Sequence, residues 1–202
     1  MATSQPPHHL AQRPIALNPK PVDFGPNVLI FDPSMTAAQM AQKLGQIPSN
    51  QDQDANQFAS GRYACFFKPG AYQNLNVEVG YYVTVHGLGH TPDQVTITGG
   101  VQSLPQSVDG SALDSFWRGV ENLAVTPTAN GNDINGWAVS QATFLRRVHI
   151  KGELFLWDFR HDGDNPKLNY SSGGFIADSA IDNQIISGTQ QQFVTRNTTL
   201  TK

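Results

Sequence analysis

Short runs of β-branched and aromatic residues, each closed by glycine or proline, follow one another through the first half of the chain. Between Arg62 and Gly100 four such runs cover residues 63–67, 75–79, 82–86 and 95–98. Runs of this length between turn residues are typical of β-strands. The intervals are too short to hold helices that cross between strands. The pattern therefore predicts an all-β solenoid in which each short strand stacks on the preceding turn.

The same pattern continues on both sides of this stretch. It predicts strands at residues 28–31, 120–125, 137–141, 144–151, 154–157, 174–177, 184–186 and 193–195. One segment differs: Ser34 is a plausible N-cap, and apolar residues at helical spacing predict a helix over about 35–45 that covers the open end of the stack. The proline-rich residues 1–26 read as an extended arm, which leaves residues 27–202 as the folded domain.

Composition narrows the possible functions. The chain has 202 residues, a formal net charge of -3 and only 14% charged residues, which suits one turn-rich domain. Acidity and the lack of a long Lys/Arg run argue against nucleic acid as a partner. No run approaches the roughly 20 apolar residues that cross a bilayer, and the first residues do not resemble a signal peptide. The single cysteine, Cys65, sits in an apolar run and reads as a buried side chain.

Several motifs carry a resemblance to a known family. They are residues 67–72 (FKPGAY), 85–89 (VHGLG), 116–118 (FWR), 173–179 (GGFIADS) and 190–193 (QQQF). Together they resemble the N-terminal half of large, mostly secreted microbial proteins with a right-handed parallel β-helix fold of the pectin-lyase-like type. These proteins are often loosely labelled coagulation-factor-5/8-type or adenylyl-cyclase-like and stand near β-helix glycoside hydrolases. The resemblance implies that fold, an N-terminal capping helix, an extracellular location and an extended polysaccharide as ligand.

Carboxylates at turns are the candidate catalytic groups. Hydrolysis of a glycosidic bond usually needs two of them, one as acid and one as base or nucleophile. Asp178 and Asp182 flank a turn within the stretch that resembles the family, and they are the predicted acid and base. Glu121, beside Asn122 at a strand start, is the third candidate. Turn carboxylates also bind local backbone amides, and that alternative stays open for all three.

Aromatic and arginine side chains are the candidate sugar-binding groups. Trp117, Trp137 and Trp157 recur every twenty residues, and stacked strands could align Trp117 and Trp137 along a glycan, although packing in the core is the alternative. Arg118 and Arg196 could contact substrate, or serve as the base of a polysaccharide lyase.

The sequence predicts no cofactor and no metal site, because its histidines lack ligand spacing. Asp162 and Asp164 only hint at a calcium loop. Three functions remain open: a glycoside hydrolase-like protein, a non-catalytic scaffold that binds glycan or assembles with itself through its C-terminal strand edge, and a polysaccharide lyase.

Overall fold

The computed structural model describes residues 22–49, 51, 56–104, 111–161 and 170–202. Most of the predicted proline-rich arm, residues 1–21, lies outside this part of the chain. Asp162 and Asp164, the hint of a calcium loop, also lie outside it.

The predicted helix is present as α1, Ala37–Leu44, and it contacts strands β1 (Val28–Phe31) and β3 (Gly70–Glu78). The predicted cap at Ser34 is wrong, because the Ser34 amide and hydroxyl both donate to the Asp32 carboxylate. Thr36 caps the helix instead. Its hydroxyl accepts a hydrogen bond from the backbone N–H of Gln39, while the side-chain oxygen of Gln39 accepts one from the backbone N–H of Thr36. Met40 is the buried residue that anchors α1.

Parallel pairing organises the strands of the described residues. An 11-stranded sheet has the main order β1-β2-β4-β6-β8-β10-β13; β5 joins β3 to β6, and β11 joins β8 to β14. A separate three-stranded sheet has the order β12-β9-β7. The remaining bounds are β2 Tyr63–Phe67, β4 Val83–Gly87, β5 Val95–Gln102, β6 Arg118–Pro127, β7 Ile134–Gly136, β8 Thr143–Ile150, β9 Glu153–Phe155, β10 Phe175–Ala177, β11 Ala180–Ile181, β12 Ile185–Ile186, β13 Val194–Arg196 and β14 Thr199–Leu200.

The predicted fold class, a right-handed parallel β-helix solenoid, is wrong. The described strands form one branched parallel sheet and one small separate sheet, and they do not form a closed solenoid. Turn residues indicate where a strand begins and ends, but they do not say which strand edges pair. Strand bounds also differ locally: β3 begins at Gly70, five residues before the strand predicted at residues 75–79, and β7 lies just before the strand predicted at residues 137–141.

Along β1, β2 and β4, alternate side chains face the core. One buried row crosses six strands in register: Leu29, Cys65, Val85, Val120, Leu145 and Ile176. Burial of each such side chain contributes roughly 1.5–3 kcal/mol relative to an exposed one. The positions between them face outward, so the opposite face of β2, β4, β6 and β8 is the surface that can carry a site.

A bend crosses the same strands just after the outward row. Asn122, Arg147, Asp178 and Asn197 all have φ between 48° and 57° there. Asn and Asp adopt this left-handed conformation more easily than most residues, which explains three of the four positions. The bend turns the side chains that follow it, so that residues before and after it lie on different parts of the surface.

Candidate functional site

A polar row crosses the outward face of the main sheet. His86 in β4, Glu121 in β6 and Arg146 in β8 are register partners. His86 Nδ1 lies 3.6 Å from Glu121 Oε2, and Arg146 donates a hydrogen bond to Glu121 Oε1. The Phe66 ring stacks on His86 with 5.1 Å between ring centroids. Glu121 is therefore held between two cationic or potentially cationic groups, with 27% of its side chain exposed.

Asp178 joins this row at the bend. Its Oδ2 lies 3.9 Å from Arg146 Nε, and its Oδ1 accepts a 3.1 Å hydrogen bond from the side-chain nitrogen Nδ2 of Asn197. Its side chain is 44% exposed. Because Glu121 and Asp178 both contact Arg146, the two carboxylates are neighbours on this face of the sheet.

A second polar cluster lies on the other side of the bend. The His149 ring sits between two carboxylates: Nδ1 is 3.0 Å from Asp93 Oδ1, and Nε2 is 2.8 Å from Asp182 Oδ1. Lys151 Nζ lies 2.9 Å from the same Asp93 oxygen. Burial alone would raise the pKa of Asp93, but hydrogen bonds from Lys151 and His149 and their charges lower it overall.

The structure does not place Asp178 and Asp182 around a common partner. Asp178 contacts Arg146, whereas Asp182 contacts His149. The two carboxylates that share one cation are instead Glu121 and Asp178. The catalytic role of all three stays a prediction.

Arg118 and Trp137 lie in the interior, with 2% and 0% of their surface exposed. The Arg118 guanidinium donates to the Val79 carbonyl and the Ser103 hydroxyl, both at 2.9 Å, and to the Phe116 carbonyl at 3.2 Å. Neither side chain offers a surface on which a sugar could lie, so both play a structural part in this arrangement.

Trp117 and Arg196 are more accessible. Arg196 is exposed in β13. Trp117 is half-buried and lines a shallow groove of about 400 Å³. Its ring stacks on Tyr82, with centroids 5.1 Å apart and planes 4° from parallel, and the Arg62 guanidinium carbon lies 3.3 Å over the other side of Tyr82.

Sequence reasoning did not connect the predicted site residues with the side chains that surround them. Arg62 and Tyr82 each stand directly before a strand, as Trp117 does, and this common position is a signal that could have grouped them. His86, Arg146 and His149 are separated from their carboxylate partners by 25 or more residues, and no local pattern marks them.

Other kinds of site are not evident in the described ranges. There, no three histidine, cysteine or acidic side chains gather where they could hold a metal ion. Of the helices in this part of the chain, none has both the length and the apolar character to cross a membrane.

Comparison with known proteins relates the chain to glucanases. No protein-family model matches it. Over 178 residues it is 43% identical to an exo-β-1,3-glucanase of Streptomyces sp. (strain SirexAA-E / ActE), covering 88% of this chain and 27% of that protein. The chain thus spans little more than a quarter of this curated relative.

The solved structure of sacteLam55A from Streptomyces sp. SirexAA-E is also similar, with a TM-score of 0.77 and 42% identity over 89% of this chain and 30% of that one. A structure of a glutamate-to-alanine variant of sacteLam55A in complex with glucose aligns with the same values.

These similarities correct the resemblance drawn from the sequence. The resemblance to pectin-lyase-like proteins is wrong, because the proteins that match are an exo-β-1,3-glucanase and sacteLam55A. The motifs are short strand–turn units, and such units recur in parallel sheets of different families. The broader expectation of a carbohydrate-active, glycoside hydrolase-like chain agrees with the match.

Proposed function

We propose that this chain serves a glycoside hydrolase that acts on a β-1,3-linked glucan. The observation that carries the proposal is the 43% identity over 178 residues to an exo-β-1,3-glucanase. The TM-score of 0.77 to sacteLam55A supports it, because the shared fold extends over 89% of this chain.

The exposed carboxylates are compatible with hydrolysis. Glu121 and Asp178 both contact Arg146, so two neighbouring carboxylates, the number that these mechanisms use, lie on this face. Asp182, 48% exposed beside His149, is the third candidate. Asp93 is a poor candidate for the general acid, because its lowered pKa keeps it ionised near neutral pH.

Hydrolysis is favoured over the two other functions that the sequence left open. A lyase needs an accessible base, and Arg118, one of the two arginines considered for it, is 2% exposed with its guanidinium bonded to backbone and serine oxygens. The non-catalytic scaffold that binds glycan or assembles with itself gains less support, because the relative that matches is named as a glucanase.

The test is a hydrolysis assay with the purified chain. Laminarin and β-1,3-linked gluco-oligosaccharides are incubated with it, beside carboxymethyl cellulose as a β-1,4-linked control, and released sugars are quantified by chromatography. We expect glucose or short oligosaccharides from the β-1,3-linked substrates alone. Absence of both hydrolysis and measurable binding of laminarin would overturn the proposal.

Three single variants test the carboxylates: Glu121→Gln, Asp178→Asn and Asp182→Asn. Loss of an acid, base or nucleophile should lower the rate of sugar release by roughly 100-fold or more. Asp133→Asn is the matched control, since Asp133 is exposed and lies outside both polar clusters. If a variant releases sugar at the same rate as Asp133→Asn, the carboxylate that it lacks has no catalytic role.

A further inference from the structure

A trough runs across three parallel strands on the outward face of the main sheet. Its floor is a row of register partners: Val28 in β1, Ala64 in β2 and Thr84 in β4. These three side chains are small, and they line the groove of about 400 Å³. With strands spaced about 4.8 Å apart, the floor is roughly 10 Å long, and it stops at Gly119, the buried register partner of Thr84 in β6.

One wall of the trough is a stack of planar groups. The Arg62 guanidinium covers Tyr82, and Tyr82 stacks on Trp117, so three planes stand side by side along the strand starts. The stack is fixed from outside: Arg62 donates to the carbonyls of Ala59 and Gly61, and the Tyr82 hydroxyl donates to the Gln57 carbonyl. Both faces of Tyr82 are occupied, and the trough therefore meets the edges of the stack.

The strand starts that carry this wall are conformationally costly. Tyr82 and Trp117 have φ of 56° and 52°, a region that large side chains rarely adopt. Such positions cost on the order of 1–3 kcal/mol each and cluster at functional sites. Here that conformation coincides with the alignment of the two rings along the groove.

The polar row lies on the other side of the floor. Phe66, His86 and Glu121 stand two residues further along β2, β4 and β6, a step of roughly 7 Å along the strands. At the end of the floor the Phe144 ring rests on Gly119, where even a single added carbon would lie 2.3 Å from it. The trough thus has an apolar floor with a cationic group on one rim and an imidazole and a carboxylate on the other.

We propose that this trough binds a β-1,3-linked gluco-oligosaccharide, with the sugar rings flat on the floor. In β-glucopyranose the hydroxyls are equatorial, so the ring has two C–H faces and a polar edge. An apolar floor matches the C–H face, while Arg62, His86 and Glu121 can meet hydroxyls at the edge. Small-molecule sites commonly combine an apolar lining with a few placed polar groups in this way. The inference rests on the proposed function for its choice of sugar.

The experiment fills the floor without touching the walls. Ala64→Phe adds a ring to a half-buried outward position, and binding of laminarihexaose is measured by isothermal titration calorimetry. We expect at least a 10-fold rise in the dissociation constant. Thr98→Phe is the matched control, because it adds the same ring at a half-buried position of β5 that does not line the groove. Arg62→Ala, at an exposed residue, tests the wall independently and should weaken binding several-fold.

Binding and hydrolysis measured side by side on the same variants separate the proposed binding site from the proposed function. If the unaltered chain binds laminarihexaose while Ala64→Phe and Arg62→Ala bind as tightly as Thr98→Phe, the trough is not the binding site, and the proposed function stands. If the unaltered chain binds cellohexaose through the trough but neither binds nor cleaves β-1,3-linked glucan, the proposed function fails and the choice of sugar is overturned. The inference is supported only if Ala64→Phe and Arg62→Ala both bind laminarihexaose more weakly than Thr98→Phe does.

Discussion

Replacing Arg118 by methionine should destabilise the protein strongly. Arg118 is 2% exposed, and its guanidinium donates to three oxygens that belong to separate segments: the carbonyls of Val79 and Phe116 and the hydroxyl of Ser103. The guanidinium carbon also lies 4.7 Å from the centre of the Tyr81 ring. Methionine preserves much of the side-chain volume but removes every donor.

The size of the effect follows from the acceptors left behind. Each buried oxygen that loses its donor costs about 1–3 kcal/mol, and these costs do not add fully. Removal of the buried charge returns part of the loss, because its burial was itself unfavourable. We therefore expect the free energy of unfolding to fall by about 3 kcal/mol.

The assay is urea unfolding followed by tryptophan fluorescence, with Arg196→Met as the control. Arg196 is exposed in β13, so its replacement should change the free energy of unfolding by less than about 0.5 kcal/mol. If Arg118→Met stays within about 1 kcal/mol of the unaltered protein, the three hydrogen bonds do not hold these segments together. If it instead weakens laminarin binding at unchanged stability, the sequence-based role of Arg118 in substrate binding is restored.

Three further predictions concern the core, the bend and the polar row. Burial raises the pKa of Cys65 to about 12, so the thiol of the folded protein should not react with a thiol-specific disulfide reagent at pH 8. The unfolded chain should show one reactive thiol, and a fast reaction of the folded protein would contradict the burial of Cys65. Gly87→Ala places a carbon 2.0 Å from a backbone carbonyl oxygen of β6, and it should lower the free energy of unfolding, measured in urea, by about 1–3 kcal/mol. Gly45→Ala, whose added carbon has its nearest neighbour at 3.4 Å, should lower it much less. Equal losses of stability in the two variants would refute the close approach at Gly87. Burial lowers the pKa of His86 from 6.5 despite the opposing effect of Glu121. Below about pH 6.5 the unfolded chain therefore binds more protons than the folded chain, and the free energy of unfolding decreases as the pH is lowered. His86→Gln should therefore lose less stability than the unaltered protein between pH 7 and pH 5, and an equal loss in both would rule out this contribution.

The polar row illustrates how far sequence reasoning reached at the site. The sequence proposes Glu121 at a strand start and Asp178 at a turn, because hydrolysis usually needs two carboxylates. It does not connect either of them with Arg146, since residues 121, 146 and 178 meet only because β6, β8 and β10 pair in register. The twenty-residue recurrence of tryptophans was misleading: Trp117 reaches the groove, but Trp137 is fully buried.

Local chemistry in the sequence by itself determined where several of the strands and the helix form. β-branched runs between glycine and proline marked β1, β2, β4 and β8 within a residue or two, and apolar spacing marked α1. It also placed Cys65 in the core, because Cys65 lies within a run of apolar residues. These features depend on propensities of a few adjacent residues, which the sequence states directly.

Tertiary structure alone decided which strands pair. Strand pairing in turn decided which residues that are distant in sequence become neighbours. A shift of one residue in register would turn every side chain of a strand to the other face. Register therefore decided that Val28, Ala64 and Thr84 form one floor, that Arg62, Tyr82 and Trp117 form one wall, and that Arg118 is buried. The physical reason is that strand pairing is selected by packing of the whole core, which no short stretch of sequence records.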